Sequence, residues 1–314
     1  MEFLVAHNID DRSLERLRSV SSEVEVTVAK TTDEAVIAVA DADAVYGGGR
    51  LAREIFVAGK KLKWVQIRGA GVEASLHPEV IESDVILTNT SGAYDIPIAE
   101  HAFAMILCLS RGLNMFIRHQ TECVWRGAPV LELAGQTILI VGLGSIGLAV
   151  AQRAHGFDMR ILAADVMEVD TPEYVERVEK PEKLHELLPE ADFIVICCPH
   201  TQHTHRLVGE AEFQKMKPTA HIINPARGKI IDQSAMIRAL SEKRIAGAGL
   251  DVFEEEPLPA DSPLWKMPNV VITTHSAGGS PVTGGRITDI VCENLRRFSA
   301  GEPLINVVNK NAGF

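Results

Sequence analysis

The sequence predicts an α/β protein that contains two doubly wound parallel sheets, each flanked by helices. Two observations predict this class. Short apolar runs alternate with helical segments along most of the 314 residues, which is the pattern of βα units. In addition, the strand-like run 137–141 leads into three glycines with the spacing G-x-G-x-x-G, and a helical pattern follows them.

The composition fits one large or two modest globular domains and limits the classes of partner. Hydrophobic residues make up 46% of the chain, which is enough for sizeable cores. The formal net charge is -11 and no run of five basic residues occurs, so we expect no nucleic-acid partner. The apolar stretch 98–109 is interrupted by Glu100 and His101, and the N-terminus lacks a signal-peptide pattern. We therefore expect a cytoplasmic protein without membrane contact.

The cysteines and one histidine cluster are candidates for redox or metal sites. Five cysteines include the adjacent pair Cys197 and Cys198, and none lies in a C-x-x-C pattern, so we expect reduced and buried thiols. The spacing of His200, His203 and His205 resembles a metal cluster. No cysteine or acid lies at ligand spacing nearby, so we expect no metal.

The first hundred residues predict a small parallel sheet with helices at 10–20 and 31–40. The predicted strands are 3–6, 24–29, 44–46, 62–67 and 85–88. The loop Arg-Gly-Ala-Gly at 68–71 follows the carboxyl end of a strand, where open α/β sheets bind ligands. A plain helix-entry turn explains its glycines equally well.

The second part of the chain predicts a larger sheet. One long helix, 98–118, is expected to bridge two domains because its first half is apolar on most faces. Apolar residues of period 3.6 after Thr283 predict an amphipathic helix that packs back on the first domain. The six predicted strands are 138–141, 161–164, 193–197, 220–223, 247–250 and 270–272.

The glycine turn at 142–147 indicates a nucleotide-binding site. Gly142 suits a tight turn, Gly144 allows a pyrophosphate to approach the backbone, and Gly147 allows the helix to pack against the strand. Such a turn by itself also occurs for packing reasons. Asp165 ends the next predicted strand, 18 residues after Gly147, where a carboxylate accepts hydrogen bonds from ribose hydroxyls. This spacing favours a dinucleotide over a strand-end aspartate that only caps a turn.

Charged residues follow several strands of the second sheet at their carboxyl ends. Arg227 suits a carboxylate, His275 can exchange a proton near neutral pH, and an acid from 251–256 can fix the tautomer of a histidine. Each has a plainer interpretation: a surface ion-pair partner, a satisfied strand-end histidine or a solvated acidic loop. Their joint placement favours a site of proton transfer, with 199–201 lining its nicotinamide end.

These residues match a known family. The chain resembles the D-isomer-specific 2-hydroxyacid dehydrogenases along essentially its whole length. The resemblance rests on five motifs, which are 141–147 with Asp165, 224–228, 249–257, His275 with Gly278 and Gly279, and 99–102. It implies a Rossmann NAD-binding domain at 99–282 inserted in a flavodoxin-like substrate domain at 1–98 and 283–314. It also implies a homodimer through the nucleotide domain.

The family roles carry over where the motifs match. Arg227 would bind the substrate carboxylate and keto oxygen, His275 would be the acid/base, and Glu256 would pair with His275. The backbone of Gly69, Ala70 and Gly71 would meet the substrate carboxylate, and Arg68 and Tyr94 would read the rest of the substrate. The implied NAD-binding residues are Gly142, Gly144, Ser145, Ile146, Gly147, Asp165, Pro199, Thr204, Pro225, Ala226, Asp251 and Gly278.

The chain departs from the family pattern at Pro225, at Thr274 and at 276–277, which alters loop stiffness and not the catalytic groups. It ends at Phe314 without the regulatory domain of long phosphoglycerate dehydrogenases, so we expect the short form. The expected reaction is hydride transfer between NAD(H) and a small D-2-hydroxy acid or 2-keto acid such as glyoxylate, hydroxypyruvate or pyruvate. Formate or phosphite oxidation on the same scaffold, and a non-enzymatic NAD-sensing dimer, stay open as alternatives.

Overall fold

The computed structural model describes all 314 residues and divides into two compact units. The first unit comprises residues 1–94 and 280–314, and the second comprises residues 95–279. The boundaries expected from the sequence, 98/99 and 282/283, lie a few residues after those of the structure, 94/95 and 279/280.

The first unit is built on a five-stranded parallel sheet in the order β2-β1-β3-β4-β5. This is the flavodoxin-like order, with its topological switch point between β1 and β3. The strands are β1 (Glu2–Ala6), β2 (Glu25–Val28), β3 (Ala44–Gly47), β4 (Trp64–Ile67) and β5 (Ile86–Thr88). All five predicted strands of this sheet are confirmed.

Helices cover both faces of this sheet and come from both ends of the chain. Ile287, Val291 and Leu295 on the last helix pack with Phe3 and other residues of the sheet, which confirms the predicted amphipathic tail. The helices of this unit are α1 (Asp11–Arg18), α2 (Thr32–Ala38), α3 (Arg53–Ala58), α4 (Pro78–Ile81) and, after the second unit, α11 (Thr283–Ala300).

The second unit is built on a seven-stranded parallel sheet in the order β12-β11-β10-β9-β6-β7-β8. The order is that of a Rossmann sheet with one additional strand, and its switch point lies between β6 and β9. The strands are β6 (Thr137–Val141), β7 (Arg160–Ala164), β8 (Arg177–Glu179), β9 (Phe193–Ile196), β10 (His221–Asn224), β11 (Gly247–Leu250) and β12 (Val270–Ile272).

Strand β8 is missing from the sequence prediction. It has three residues, two of them charged, and each is only partly buried because it lies at the edge of the sheet. A run this short and polar has no hydrophobic periodicity. It is held at the edge by backbone pairing with β7 and by ion pairs such as that of Arg177 with Glu190.

The helices of the second unit correct one prediction. The expected single helix 98–118 is two helices, α5 (Asp95–Ser110) and α6 (Leu113–Thr121). Gly112 lies between them with φ of +65°, a left-handed conformation that ends a helix and favours glycine. The remaining helices are α7 (Ser145–Gly156), α8 (Leu184–Leu187), α9 (Glu210–Lys215) and α10 (Gln233–Ser241). No helix alone has the length and apolar character to cross a membrane, and only the bent pair α5 and α6 meets such a test jointly.

All five cysteines are free thiols, but the prediction that they are buried holds fully only for Cys198. Cys108, Cys197 and Cys292 are half-buried, and for Cys123, which is exposed, the prediction is wrong. This residue follows α6 with φ of +56°, outside any core. Burial raises the pKa of Cys197, and it raises the pKa of Cys198 to about 12. These two neighbouring thiols therefore stay protonated and behave as small apolar side chains.

Candidate active site

The glycine turn of the second unit connects β6 to α7. Gly142 has φ of +97° and lies against the backbone of Cys198 at the end of β9, so a side chain there would be strained and crowded. A Cβ atom on Gly147 would overlap the carbonyl oxygen of Gly142, because the helix packs directly on the turn. A Cβ atom on Gly144 would meet no atom within 4 Å. The two outer glycines therefore serve packing, and the middle one borders open space.

The N-terminus of α7 faces this open space. The first backbone hydrogen bond of the helix runs from the N–H of Leu148 to the carbonyl of Gly144, at 2.8 Å. The preceding N–H groups, including those of Ile146 and Gly147, are not used within the helix and suit an anion. The hydroxyl of Ser145 donates to the carboxylate of Asp95 at 3.0 Å, at the start of α5.

Asp165 directly follows β7 and contacts the glycine turn. One carboxylate oxygen accepts the N–H of Leu143 at 2.6 Å, and the other accepts the N–H of Met167 at 2.7 Å. The acid thus fixes the turn and has lone pairs left for ribose hydroxyls. Val166 and Met167, the next two residues, are uncharged and are 60% and 58% exposed. The ammonium of Lys180 donates to the carbonyl of Val166 at 2.9 Å.

The predicted catalytic residues follow neighbouring strands. Strands β10, β11 and β12 are hydrogen-bonded in that order and all run parallel, so their carboxyl ends lie along one edge. Arg227 follows β10, Asp251 follows β11, and His275 follows β12. The fold therefore brings these three segments together, as expected for the ligand edge of such a sheet.

The loop that carries Arg227 is held by close backbone packing. Asn224 at the end of β10 accepts the N–H of Ala226 at 3.1 Å and donates to the carbonyl of Arg227 at 2.9 Å. A Cβ atom on Gly228 would overlap the peptide between Phe253 and Glu254. Only glycine fits at this contact, and the contact fixes the Arg227 loop against the segment that carries Glu256. Pro225 is buried in the same loop.

His275 and Glu256 form a hydrogen-bonded pair. The Nδ1 atom of His275 lies 2.7 Å from Oε2 of Glu256. The other oxygen, Oε1, accepts the N–H of Phe253 at 3.0 Å, which orients the carboxylate. Because a carboxylate only accepts, Nδ1 carries the proton of this hydrogen bond and Nε2 is the nitrogen left for exchange with a ligand. The imidazole is 52% exposed, so a ligand can reach it.

A buried carboxylate, Asp251, holds the loop that presents His275. Its two oxygens accept the N–H groups of Ser276 and Ala277, each at 2.9 Å, and the hydroxyl of Thr273 at 2.5 Å. Its carbonyl accepts the N–H of His275 at 2.7 Å. His275 has φ of +53°, which is unusual for a residue with a side chain, and these hydrogen bonds hold it there.

His101 on α5 extends this network. Its Nε2 atom lies 2.8 Å from the Thr273 hydroxyl and 3.7 Å from the carboxylate of Asp251. The sequence motif at 99–102 includes this histidine, but no periodicity relates it to a residue more than 170 positions away. No local pattern in the sequence indicates the role of Thr273 either, because its partners His101 and Asp251 belong to distant segments.

The loop after β9 contains Pro199 and Thr204. The Thr204 hydroxyl donates to the carbonyl of Pro199 at 2.6 Å and accepts the N–H of Thr201 at 2.7 Å, so it closes the loop on itself. His200 and His205 lie 3.1 Å apart through ring nitrogens. No group of three or more histidine, cysteine or acidic side chains has the arrangement of a metal site.

Comparison with known proteins decides the family. The family model described as "D-isomer specific 2-hydroxyacid dehydrogenase, NAD binding domain" matches residues 103–277. The chain is 40% identical over 263 residues to a glyoxylate reductase of Korarchaeum cryptofilum, covering 82% of this chain and 79% of that one. The chain belongs to the D-isomer-specific 2-hydroxyacid dehydrogenase family. It is thus an oxidoreductase that transfers a hydride between a nicotinamide dinucleotide and a 2-hydroxy acid or 2-keto acid.

Other members of this dehydrogenase family match nearly the whole of this chain. A D-3-phosphoglycerate dehydrogenase of Archaeoglobus fulgidus is 31% identical over 314 residues, which cover 98% of this chain and 59% of that one. A crystal structure of a family member from Xanthobacter autotrophicus Py2, in complex with NADPH and MES, has a TM-score of 0.88 at 27% identity and covers 99% of both chains. The glyoxylate/hydroxypyruvate reductase SmGhrA of Sinorhizobium meliloti, described as NADPH-dependent, has a TM-score of 0.86 at 25% identity, covering all of this chain and 99% of that one.

The dehydrogenase fits a nicotinamide dinucleotide at the turn between β6 and α7. The space in front of Gly144 is open, the N-terminal N–H groups of α7 suit a pyrophosphate, and Asp165 suits a ribose. All of the predicted NAD-binding residues occur at this turn or in loops at the carboxyl ends of β7 and β9 to β12.

The loop predicted to bind substrate lies in the first unit, directly after β4. The carbonyl of Arg68 accepts the hydroxyl of Tyr94 at 2.9 Å, and a second hydroxyl, that of Thr90, also donates to it. The side-chain amide of Asn89 donates to the carbonyl of Ala70 at 2.7 Å. These bonds occupy carbonyl oxygens and hold the loop, so the N–H groups between Gly69 and Gly71 are the polar groups that it can offer to a carboxylate.

Proposed function

We propose that this dehydrogenase acts on a small 2-hydroxy acid of D configuration and its 2-keto acid, of the size of glyoxylate, hydroxypyruvate or pyruvate, with NAD(H). The observation that supports the proposal is that Arg227, Glu256 and His275 follow the carboxyl ends of three consecutive strands of one sheet, and that Glu256 and His275 are hydrogen-bonded to each other. An arginine binds a carboxylate at two points, and an imidazole oriented by a carboxylate transfers a proton. The names of the similar glyoxylate reductases agree with a substrate of this size.

The proposed mechanism assigns one task to each of three side chains. Arg227 binds the carboxylate and polarises the keto oxygen. In reduction, Nε2 of His275 donates a proton to that oxygen, and in oxidation it removes the proton from the hydroxyl. Glu256 accepts the Nδ1 proton throughout, so the ring keeps one orientation. The bound nicotinamide supplies the hydride in reduction and accepts it in oxidation.

We assign supporting roles to the remaining predicted residues. Asp251 fixes the backbone around His275 and lies at the end of β11, where it can also meet the nicotinamide carboxamide. Gly278 follows the same loop, and Ala226 and Pro225 precede Arg227. From the family resemblance alone, the first unit is the substrate domain, and Arg68, Gly69, Ala70, Gly71 and Tyr94 contribute to substrate binding.

We propose that NAD is preferred over NADP. Asp165 places a carboxylate where the extra phosphate of NADP would lie, and Val166 and Met167 provide no positive charge to bind it. The preference would differ from that of SmGhrA, which is described as NADPH-dependent.

We propose a homodimer formed through the second unit. An apolar surface on and after α6 supports it, because Phe116 is 38% exposed, Ile117 56% and Trp125 fully exposed. Val124 and Val130 extend this surface. A two-fold contact would bury the same patch on both copies. Light scattering after size exclusion should give twice the chain mass, and an Ile117→Glu/Trp125→Glu variant should give a monomer.

We also propose that the protein works in a reducing compartment such as the cytoplasm. All five cysteines are unpaired, and Cys123 is exposed, so an oxidising compartment would expose a reactive thiol to disulfide exchange.

The proposed activity is tested by following NADH oxidation with a panel of glyoxylate, hydroxypyruvate, pyruvate and oxaloacetate. Turnover of at least one 2-keto acid is expected. Formate and phosphite, assayed in the oxidative direction with NAD, separate the proposal from the related anion dehydrogenases. Turnover of formate or phosphite alone would refute the proposed substrate, and binding of NADH without any turnover would favour a sensor.

A further inference from the structure

The sequence motif at 99–102 has no task in the proposed mechanism, yet one of its residues contacts the support of His275. This residue, His101, lies on α5, which packs directly on β11. A Cβ atom on Gly249 would lie only 2.8 Å from the Cβ of Met105, so the helix approaches this strand closely. His101 precedes Met105 by four residues and therefore lies on the same face of α5. This packing places the imidazole against the residues that follow β11 and β12.

A chain of two hydrogen bonds connects this imidazole to a buried carboxylate. The hydroxyl of Thr273 donates to Oδ1 of Asp251 at 2.5 Å, because an ionised carboxylate only accepts. A hydroxyl has one proton, so Thr273 has only a lone pair left for Nε2 of His101, which lies 2.8 Å away. Nε2 therefore carries a proton and donates it, and the neutral ring of His101 is the Nε2–H tautomer.

The side chain of Asp251 depends on its hydrogen-bond donors because it is only 1% exposed. A carboxylate that is so deeply buried receives little stabilisation from water and needs the protein groups that donate to it. Its oxygens also accept the N–H groups of Ser276 and Ala277, each at 2.9 Å. The Thr273 hydroxyl and the Ser276 N–H meet at the same oxygen, Oδ1. A displacement of this hydroxyl therefore changes the support of the loop that contains His275.

His275 needs this support because its backbone lies in the left-handed region, with φ of +53°. Such a conformation is costly for a residue with a side chain, and it persists where surrounding contacts hold it. The N–H of His275 donates to the carbonyl of Asp251 at 2.7 Å, and the next two N–H groups donate to the carboxylate of Asp251. The direction of the His275 imidazole therefore depends on the position of Asp251.

We propose that His101 is a positioning residue for the proton transfer of this dehydrogenase. Its Nε2–H group acts through Thr273 and Asp251, which hold the backbone of His275 in the conformation that directs the imidazole to the substrate. The inference rests on the proposed function of His275 as the acid/base and adds a residue of a distant segment on which that function depends. His101 itself touches neither substrate nor cofactor in this role. Its loss leaves the glycine turn intact and misplaces the imidazole of His275.

The test compares two replacements of His101 that have similar length and differ in the N–H group. His101→Met removes the donor and should lower kcat by about tenfold with the 2-keto acid that the parent reduces fastest, because the imidazole of His275 is then misplaced. His101→Gln keeps an amide N–H near the position of Nε2, so its kcat should lie within about threefold of the parent. KM for the 2-keto acid and the Kd for NADH should change by less than about threefold in both variants. A loss of packing alone would affect both variants alike.

A double-mutant cycle tests whether the effect of His101 runs through the hydroxyl of Thr273. Thr273→Val removes the hydroxyl from a side chain of nearly the same shape and should lower kcat by at least the factor seen in His101→Met, whereas Thr273→Ser should keep most of the activity. The double variant His101→Met/Thr273→Val should be no slower than Thr273→Val alone, because the group through which His101 acts is already gone.

The matched control is His155→Met, which replaces an exposed histidine near the end of α7 in the same unit and should leave kcat unchanged. Parent-like kcat in His101→Met would overturn the inference, as would equal losses in the Met and Gln variants or multiplied losses in the double variant. If His101→Met does not fold, His101→Asn takes its place, since its amide is too short to reach Thr273. If His275→Gln has parent-like kcat, the proposed function of His275 fails and this inference with it. If His275→Gln is impaired and His101→Met is not, only the positioning role fails.

Discussion

The Nδ1 atom of His275 lies 2.7 Å from Oε2 of Glu256, although the two residues are 19 positions apart and follow different strands. The pair depends on three features of the backbone. Asp251 fixes the loop of His275, Phe253 orients the carboxylate, and Gly228 allows the Arg227 loop to pack against the same segment. The residues proposed for proton transfer and for carboxylate binding are therefore held by the same backbone segment.

Replacement of His275 by Gln should lower kcat by about 10² to 10⁴, which is the usual contribution of general acid/base catalysis. Glu256→Gln should lower kcat by a smaller factor, because a neutral amide still holds the ring and stabilises the protonated imidazole less. Stopped-flow turnover and equilibrium NADH binding are the measurements. Unchanged kcat in His275→Gln, with NADH bound normally, would contradict the assignment.

Replacement of Gly228 by Ala should lower activity and the free energy of unfolding together. The added methyl would overlap the Phe253–Glu254 peptide, so the loops of Arg227 and Glu256 must separate. The expected destabilisation is about 1–3 kcal/mol. Gly156→Ala at the end of α7 is the control, since its Cβ would meet nothing within 4 Å. Parent-like activity and stability in Gly228→Ala would show that the loops are less tightly coupled than the structure indicates.

Substitutions of two glycines in the turn after β6 should affect different properties, one the affinity for NADH and the other the stability of the fold. Gly144→Ala places a methyl in open space, so the melting temperature should stay near that of the parent while the Kd for NADH rises about tenfold or more. Gly147→Ala should lower the melting temperature, because its methyl would overlap the Gly142 carbonyl. Calorimetric titration and thermal unfolding measure the two effects. Equal NADH affinity in Gly144→Ala and the parent would place the pyrophosphate elsewhere.

The parent should have a higher kcat/KM with NADH than with NADPH. Replacement of Val166 by Arg adds a positive charge beside Asp165 and should improve kcat/KM with NADPH, with little effect on the glycine turn because Val166 is 60% exposed. Val166→Gln has a similar length without the charge and serves as the control. A parent enzyme that is more efficient with NADPH would refute the proposed preference.

Stability should fall at acidic pH because of His221. Burial lowers the pKa of this imidazole to about 4 from an ordinary value of 6.5, and the ring stacks on Phe193 in the core of the second unit. The imidazole of His221 binds a proton more tightly in the unfolded chain than in the folded one. The free energy of unfolding is therefore not reduced by this residue above pH 6.5, and it falls progressively as the pH falls from 6.5 toward 4. The loss amounts to at most about 3 kcal/mol.

The measurement is urea unfolding between pH 4 and pH 8. His221→Phe should flatten the decline, because phenylalanine preserves an aromatic contact with Phe193 and does not titrate. His203→Phe, in an exposed loop, is the control and should decline as the parent does. An equally steep decline in His221→Phe and the parent would assign the acid sensitivity to other groups.

The sequence by itself determined the fold class, most of the strands and the family. Strands of α/β proteins are continuous apolar runs because they are buried on both faces, and glycine spacing records where a backbone must pack closely. The same local signals predicted the turn at Gly142, the strand ends at Arg227 and His275, and the amphipathic helix after Thr283.

Only the tertiary structure showed the features that depend on contacts between distant segments or on irregular backbone. The edge strand β8 is too polar to be recognised, and the break at Gly112 follows from a left-handed residue packed beside the carbonyl of Pro129. The hydrogen bonds of Asp251 to Thr273 and to the residues after His275 join segments that no local pattern relates.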